Sequence, residues 1–192
     1  MEVVTLGPKQ FSEACEHLAS RIASLCPEGF DLVIAIPRAG RYVAKELMPH
    51  LPQCEYAEIT CQRPSTKKKK GTVSAILKTL PTILTDMLRV IEAWCLPHLP
   101  VKPPAVHIPD GTLPKGCKRI LIVDDSVDSG RTLLAVKNAV AAARPHATIT
   151  TAVITVTTKK PLITPDVRLY DTPVLVRSYW SADYNPSRYG GN

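Results

Sequence analysis

The stretch KRILIVDDSVDSGRTLLAVKNAV, residues 118–140, decides the fold. Ile120 to Val123 is an uninterrupted apolar run, which is typical of a strand buried on both faces. From residue 129 onward, the apolar residues fall at the three- and four-residue spacing of a helix. Three carboxylates and a Ser-Gly-Arg-Thr turn stand between the two elements. Ligands of open α/β sheets bind where a strand ends and its helix begins, so this turn is the candidate site.

The residue types at this turn predict the ligand. Asp124 and Asp125 follow the strand and can hold vicinal hydroxyls, coordinate a hard cation, or do both. The turn Asp128 to Thr132 contains a glycine and two hydroxyls at a helix amino terminus, where free N–H groups attract anions. A diol and a terminal phosphate together indicate a ribose 5-phosphate. The open alternatives are a simple helix N-cap and the magnesium-binding acids of a receiver domain, although too few residues follow for a receiver.

Composition indicates an ordinary globular protein. The chain has 192 residues, of which 45% are hydrophobic and 21% charged, with a net charge of +7 that favours an anionic ligand or nucleic acid. The six cysteines form no Cys-x-x-Cys or zinc spacing, and the first residues lack the pattern of a signal peptide. We therefore expect a cytoplasmic protein. Charges and a proline interrupt the apolar residues 73–96, so no transmembrane segment is predicted.

Strand-like and helical patterns alternate along the chain. Strands are predicted at residues 2–6, 30–36, 54–60, 120–123, 147–156 and 173–180, and helices follow the first, second and fourth of them. This order predicts an α/β fold, with a mainly parallel central sheet flanked by helices on both faces. We expect a single domain, residues 1–192, with an additional amphipathic helical segment at 72–97 and an irregular proline-rich connection after it.

Residues 120–133 resemble the signature of the type I phosphoribosyltransferases, and most closely that of the purine (hypoxanthine-guanine or xanthine) enzymes. The resemblance extends to residues 33–47, where Arg38, Ala39 and Gly40 stand in the place of the family's diphosphate-binding turn. It implies magnesium-dependent transfer of ribose 5-phosphate from phosphoribosyl pyrophosphate (PRPP) to a nucleobase, with release of pyrophosphate. The implied partners are therefore PRPP and a nucleobase, and the implied cofactor is Mg²⁺.

The third acid of the motif indicates which base is used. In the hypoxanthine-guanine enzymes this acid lies near the purine, so the resemblance makes Asp128 the catalytic base, or the hydrogen-bond partner, at purine N7. The tail, residues 157–192, resembles the hood that covers the nucleobase in those enzymes. By that match Trp180 or Val176 covers the base, and Lys159 or Lys160 donates to the purine 6-oxygen. Asp183 lies near the purine edge or a second magnesium. These features favour a 6-oxopurine.

The resemblance implies a set of residues for each part of the site. The PRPP-binding residues are Asp124, Asp125, Asp128, Ser129, Gly130, Arg131, Thr132, Arg38, Ala39 and Gly40. The nucleobase-binding residues are Lys159, Lys160, Trp180 and Asp183, and the metal-binding residues are Asp124, Asp125 and Asp183. No covalent nucleophile is required for this reaction.

The middle of the chain departs from the family. The basic run Lys67 to Lys70 is either part of a loop that closes over PRPP or a solvated charge run. The amphipathic segment 72–97 forms a dimer interface, packs on the core, covers the site, or lies on a membrane surface. Core packing or dimerisation is the favoured interpretation, and a homodimer is expected. Two other functions stay open: a PRPP-sensing regulator of the same fold that binds nucleic acid, and a phosphoribosyltransferase with an unusual acceptor.

Overall fold

The computed structural model describes residues 1–51, 53–62 and 104–189, together with five helical positions at 84, 86, 87, 90 and 91. A five-stranded parallel sheet forms its centre, with strand order β3-β2-β6-β7-β8. Its strands are β2 (Leu32–Ala35), β3 (Glu55–Glu58), β6 (Arg119–Val127), β7 (Thr148–Val156) and β8 (Val167–Arg168). The predicted fold class, a mainly parallel sheet in an α/β protein, is confirmed.

Helices cover both faces of this sheet because its strands are apolar on both sides. Three helices pack on the sheet: α1 (Pro8–Leu25), α2 (Gly40–Leu47) and α3 (Arg131–Ala143). Val33 and Ala35 of β2 pack with α1 and α2, whereas Leu32 and Ile34 of the same strand pack with α3. Alternate residues of one strand therefore enter two separate cores, which is the reason that its sequence shows no polar alternation.

A second, smaller sheet joins the two ends of the chain. Strand β1 (Glu2–Leu6) pairs in parallel with β9 (Val174–Ser178), in a register that places Thr5 opposite Arg177. The short helix α4 (Pro186–Tyr189) follows β9. A Cβ atom on Gly7 would lie 3.2 Å from the Tyr184 hydroxyl, so the tail packs against the start of α1. The predicted strand at 2–6 is confirmed, and that at 173–180 is shorter than expected.

The prediction of one strand over residues 54–60 is wrong in its extent. Strand β3 ends at Glu58, and a new strand, β4 (Thr60–Gln62), pairs in antiparallel fashion with β5 (Ala105–His107). The break falls at Ile59, whose side chain is fully buried and whose N–H donates to the carbonyl of Ala35. Strand β5 lies within the connection that the sequence indicated to be irregular.

The basic run 67–70 and most of the amphipathic segment 72–97 lie outside the described residues. In the described part of the chain, no helix is long and apolar enough to cross a membrane. The described cysteines, Cys15, Cys26, Cys54, Cys61 and Cys117, are all free thiols.

Candidate active site

The turn after β2 lies directly against the acids of β6. Pairing between β2 and β6 ends at Ala35 opposite Val123, and the N–H of Ile36 then donates to the Val123 carbonyl at 2.9 Å. The chain continues through a cis peptide between Pro37 and Arg38 and enters α2 at Gly40. A Cβ atom on Gly40 would lie 2.8 Å from the Val123 carbonyl oxygen and 3.2 Å from Asp124 Oδ1. Only glycine permits the two segments to approach this closely.

The sequence predicts Asp124 and Asp125 after the strand, but both residues lie within β6. The pairing of β6 with β7 continues to Val127 opposite Val156, which keeps both acids in extended backbone. Among the described residues, β2 has already ended at this point, so no strand pairs with β6 on the side of the Gly40 turn from Asp124 onward. Asp124 is 4% exposed, and its Oδ1 accepts a hydrogen bond of 2.9 Å from the N–H of Asp125. Asp125 is half-buried.

The second turn has the geometry of an anion site. Gly130 is buried and has φ of +79°, a conformation that residues with a Cβ atom rarely adopt. It precedes the first residue of α3, and Ser129, Arg131 and Thr132 around it are all partly exposed. The N–H of Leu162 donates to the carbonyl of Ser129 at 2.9 Å, so the segment after β7 closes one side of the turn. The amino terminus of α3 therefore begins at a partly exposed turn, where its N–H groups can bind an anion.

Asp128 is held by a residue that the sequence did not indicate. Its Oδ1 accepts a hydrogen bond of 2.7 Å from Oγ1 of Thr157, the residue that follows β7. The N–H of Thr157 in turn donates to the carbonyl of Val127. Asp128 is not the N-cap residue of α3, which is Gly130; the side chain that bonds to the start of the helix is Ser129, whose Oγ accepts a hydrogen bond of 3.5 Å from the N–H of Arg131.

The hood-like residues pack against α1 and α2. Trp180 stacks on Tyr42 of α2, with ring centroids 4.5 Å apart and planes 14° apart, and meets the edge of Phe11 at 4.7 Å. Val176 is half-buried against the core that contains α1 and α2. Asp183 is 9% exposed and accepts a hydrogen bond of 2.9 Å from Arg177 Nε.

Lys159 and Lys160 are exposed, two and three residues after Thr157. Their position at the end of β7 places them on the same sheet edge as Asp128. The roles predicted for these lysines, and for Trp180, Val176 and Asp183, stay predictions.

The carboxylates fit a magnesium ion that is held largely by its substrate. Within residues 1–51, 53–62 and 104–189, no group of three or more His, Cys, Asp or Glu side chains is placed to enclose a metal ion. Mg²⁺ generally binds one or two carboxylates together with substrate phosphates and water, and not an all-protein cage. Asp124 and Asp125, beside the glycine turn, provide such a donor set.

Comparison with known protein families gives a match over most of the chain. The family model described as the phosphoribosyl transferase domain matches residues 7–181. Among curated protein sequences, none matches this chain.

Solved structures share the fold at low sequence identity. The xanthine-guanine-hypoxanthine phosphoribosyltransferase of Helicobacter pylori is 18% identical with a TM-score of 0.63, over 93% of this chain and 92% of its own. A purine phosphoribosyltransferase from Pyrococcus horikoshii is 22% identical with a TM-score of 0.61, over 94% and 95%. A hypothetical protein from Neisseria gonorrhoeae with bound ppGpp is 13% identical with a TM-score of 0.66, over 98% and 94%. At these identities the likeness establishes the fold alone.

Proposed function

The chain belongs to the phosphoribosyltransferase family, and from that premise we propose that it transfers ribose 5-phosphate from PRPP to a 6-oxopurine. Hypoxanthine, guanine and xanthine are the proposed acceptors, and pyrophosphate is the second product. The observation that carries the proposal is the contact of the Gly40 turn with Asp124. It joins a turn suited to a diphosphate with acids suited to a ribose, in one continuous edge of the sheet.

Each part of PRPP has a proposed binding segment. The turn Arg38 to Gly40 binds the diphosphate through backbone N–H groups and the Arg38 guanidinium. Asp124 and Asp125 hold the ribose hydroxyls, and residues 129–132 bind the 5-phosphate at the amino terminus of α3. The two turns follow β2 and β6, which are neighbouring strands of the sheet. They are therefore proposed to bind the two ends of one ligand.

Magnesium is proposed as the cofactor. Asp124 and Asp125 are the residues that would hold it, together with oxygens of PRPP. When bound, it would neutralise charge on the departing diphosphate. Asp183 is retained as a proposed ligand of a second ion.

Asp128 is proposed to accept the proton, or a hydrogen bond, from purine N7. The hydrogen bond from Thr157 fixes one of its oxygens and so orients the carboxylate at the end of β6. Lys159 or Lys160, at the same edge, donates to the purine 6-oxygen, and Trp180 or Val176 covers the ring. Two of the structurally similar proteins are described as purine phosphoribosyltransferases, which supports a purine acceptor.

The proposal also includes a cytoplasmic homodimer. The free thiols of the described cysteines support a reducing compartment. Leu84, Met87 and Ile91 occupy helical positions and are between 45% and 55% exposed, and these apolar side chains support association. Analytical ultracentrifugation tests the oligomeric state, and a monomer at micromolar concentration would contradict it.

The test is magnesium-dependent pyrophosphate release from PRPP, with hypoxanthine, guanine, xanthine, adenine, orotate and uracil offered separately. We expect turnover with at least one 6-oxopurine, and a loss of kcat of about 10²- to 10⁴-fold in Asp128→Asn, because general acid–base catalysis contributes that much. Asp110→Asn, an exposed acid in a turn, is the matched control and should retain activity. PRPP binding without turnover on any base would refute the salvage reaction and favour a regulator or another acceptor.

A further inference from the structure

Arg177 lies at the centre of a buried cluster that joins four separate parts of the chain. Its Nε donates to Asp183 Oδ2 at 2.9 Å, and its Nη1 donates to Thr5 Oγ1 at 3.1 Å and to the Tyr189 hydroxyl at 3.2 Å. Its Nη2 donates to a carboxylate oxygen of Asp86, in the helical segment of the middle region. We call these five residues the Arg177 cluster.

The charge balance of the cluster explains why a guanidinium can be buried there. The Arg177 side chain is 1% exposed and that of Asp183 is 8% exposed, whereas Asp86 is 34% exposed. Burial opposes the charge of Arg177, but hydrogen bonds to Asp183 and Asp86 offset it and raise the pKa of the guanidinium. A buried cation of this kind is stable only while its carboxylate partners stay in place. The position of Asp86 is therefore coupled to that of Asp183.

Asp183 belongs to a short, hydrogen-bonded loop that also carries Trp180. The N–H of Ser178 donates to Ser181 Oγ at 3.1 Å, and the N–H of Tyr184 donates to the Ser181 carbonyl at 3.0 Å. These bonds connect the backbone on either side of Trp180 with that beside Asp183. We therefore expect a displacement of Asp183 to move Trp180.

Trp180 connects this loop to the diphosphate side of the site. It stacks on Tyr42, which lies two residues beyond Gly40 in the first turn of α2. Gly40 in turn touches Asp124. A continuous set of contacts therefore runs from Asp86 through Arg177 and Trp180 to the turn at Gly40.

We propose that Arg177 is a positioning residue that, together with Asp86, holds the Trp180–Asp183 loop over the acceptor side of the active site. The inference rests on the proposed function, because it concerns the base that the loop covers. The PRPP turns are built on the central sheet, whereas the Arg177 cluster joins the small sheet, the tail and the middle segment. Loosening the cluster should therefore weaken binding of the nucleobase and leave binding of PRPP unchanged.

The first test compares Asp86→Asn with Asp171→Asn. The former removes the carboxylate charge at the cluster and preserves side-chain shape. The latter removes the carboxylate of the exposed Arg21–Asp171 ion pair, whose side chains are 44% and 69% exposed. We expect Asp86→Asn to raise KM for the nucleobase about fivefold or more, as for an ordinary coupling between sites, with KM for PRPP changed less than about twofold. Asp171→Asn should change neither constant.

Arg177→Lys provides a second variant at the same cluster. It retains the positive charge but lacks the planar fork that contacts several partners at once, so it should show the same split between the two KM values. An equal rise in both KM values, or unchanged kinetics in both variants, would overturn the proposal.

A second measurement does not depend on turnover. The chain has two tryptophans, Trp94 and Trp180, so in a Trp94→Phe background the emission spectrum reports Trp180 alone. Asp86→Asn should shift that emission to longer wavelength, since Trp180 loses part of its packing on Tyr42, while Asp171→Asn should not. If no base is turned over but the shift is present, the proposed function fails and the coupling holds. An unshifted spectrum refutes the coupling itself.

Discussion

Gly130→Ala tests whether the turn at residues 129–132, proposed to bind the 5-phosphate, is stabilised by both the backbone conformation and the close packing at Gly130. Gly130 has φ of +79°, and a Cβ atom would lie 3.0 Å from the nitrogen of Ile163 and 3.1 Å from that of Leu162. Alanine in the left-handed region costs about 1–2 kcal/mol. Because the contacted atoms are backbone, the segment 162–163 must also move and strain the Leu162–Ser129 hydrogen bond, worth about 1 kcal/mol. The expected loss of unfolding free energy is therefore about 2–3 kcal/mol.

Gly111→Ala is a matched control because it has the unfavourable backbone conformation without the close contact. Gly111 also has φ of +79°, but nothing lies within 4 Å of its added Cβ atom. Gly111→Ala should lower the free energy of unfolding only by the cost of the left-handed conformation, about 1–2 kcal/mol. The difference between the two variants, about 1 kcal/mol, corresponds to about 2–4 °C in Tm for a chain of this size.

Urea denaturation gives the two free energies, and steady-state kinetics give KM for PRPP. We expect KM for PRPP to rise about tenfold or more in Gly130→Ala, since the displaced turn loses on the order of one charge-assisted hydrogen bond to the phosphate. It should stay at the wild-type value in Gly111→Ala. Equal destabilisation in both variants, or an unchanged KM in Gly130→Ala, would refute the reasoning.

Two further changes give distinct outcomes. Gly40→Ala should raise KM for PRPP and change KM for the nucleobase little, because its Cβ atom would displace the turn from Asp124. Initial-rate measurements that show a rise in KM for the nucleobase alone would contradict this. Asp31 accepts hydrogen bonds from the N–H groups of Lys118 and Arg119, and those of Arg119 and then Lys118 lower its carboxyl pKa below the ordinary value. This group therefore contributes stability above its ordinary pKa that is lost as pH falls through the lowered pKa. Asp31→Asn should be less stable than wild type in urea at pH 7, and the difference should vanish in acid; a constant difference down to pH ~2 would contradict the assignment.

The central strands could be predicted from sequence because burial on both faces leaves a direct signal. The run Ile120 to Val123 has no polar residue, and its neighbours across the sheet, Leu32 to Ala35, are equally apolar. Strand β5 leaves no such signal, since its residues lie among prolines and only Val106 packs against the core. The two-residue strand β8 is set by its pairing with β7, which local sequence does not encode.

The candidate site shows the same division between local and distant information. Glycines in turns and acids near strand ends are local features, and from them the sequence predicts a diphosphate-binding turn at residues 38–40 and a phosphate-binding turn at 129–132. Thr157 was missed because its partner Asp128 is 29 residues away in the chain. Arg177 was missed too, although a signal existed: a charged residue stands inside the apolar strand β9, and burial of that strand would require a partner.

These two kinds of information correspond to two halves of the enzyme. The proposed PRPP-binding half consists of two short turns whose chemistry is local, and its long-range requirement is the approach of Gly40 to Asp124. The proposed acceptor half joins residues near both chain ends with Asp86, around Arg177. On this proposal, substitutions around Arg177 change the pocket for the base and leave in place the strands proposed to hold the ribose. A chain that keeps both turns and exchanges the elements around Arg177 would therefore keep its cosubstrate and change its acceptor.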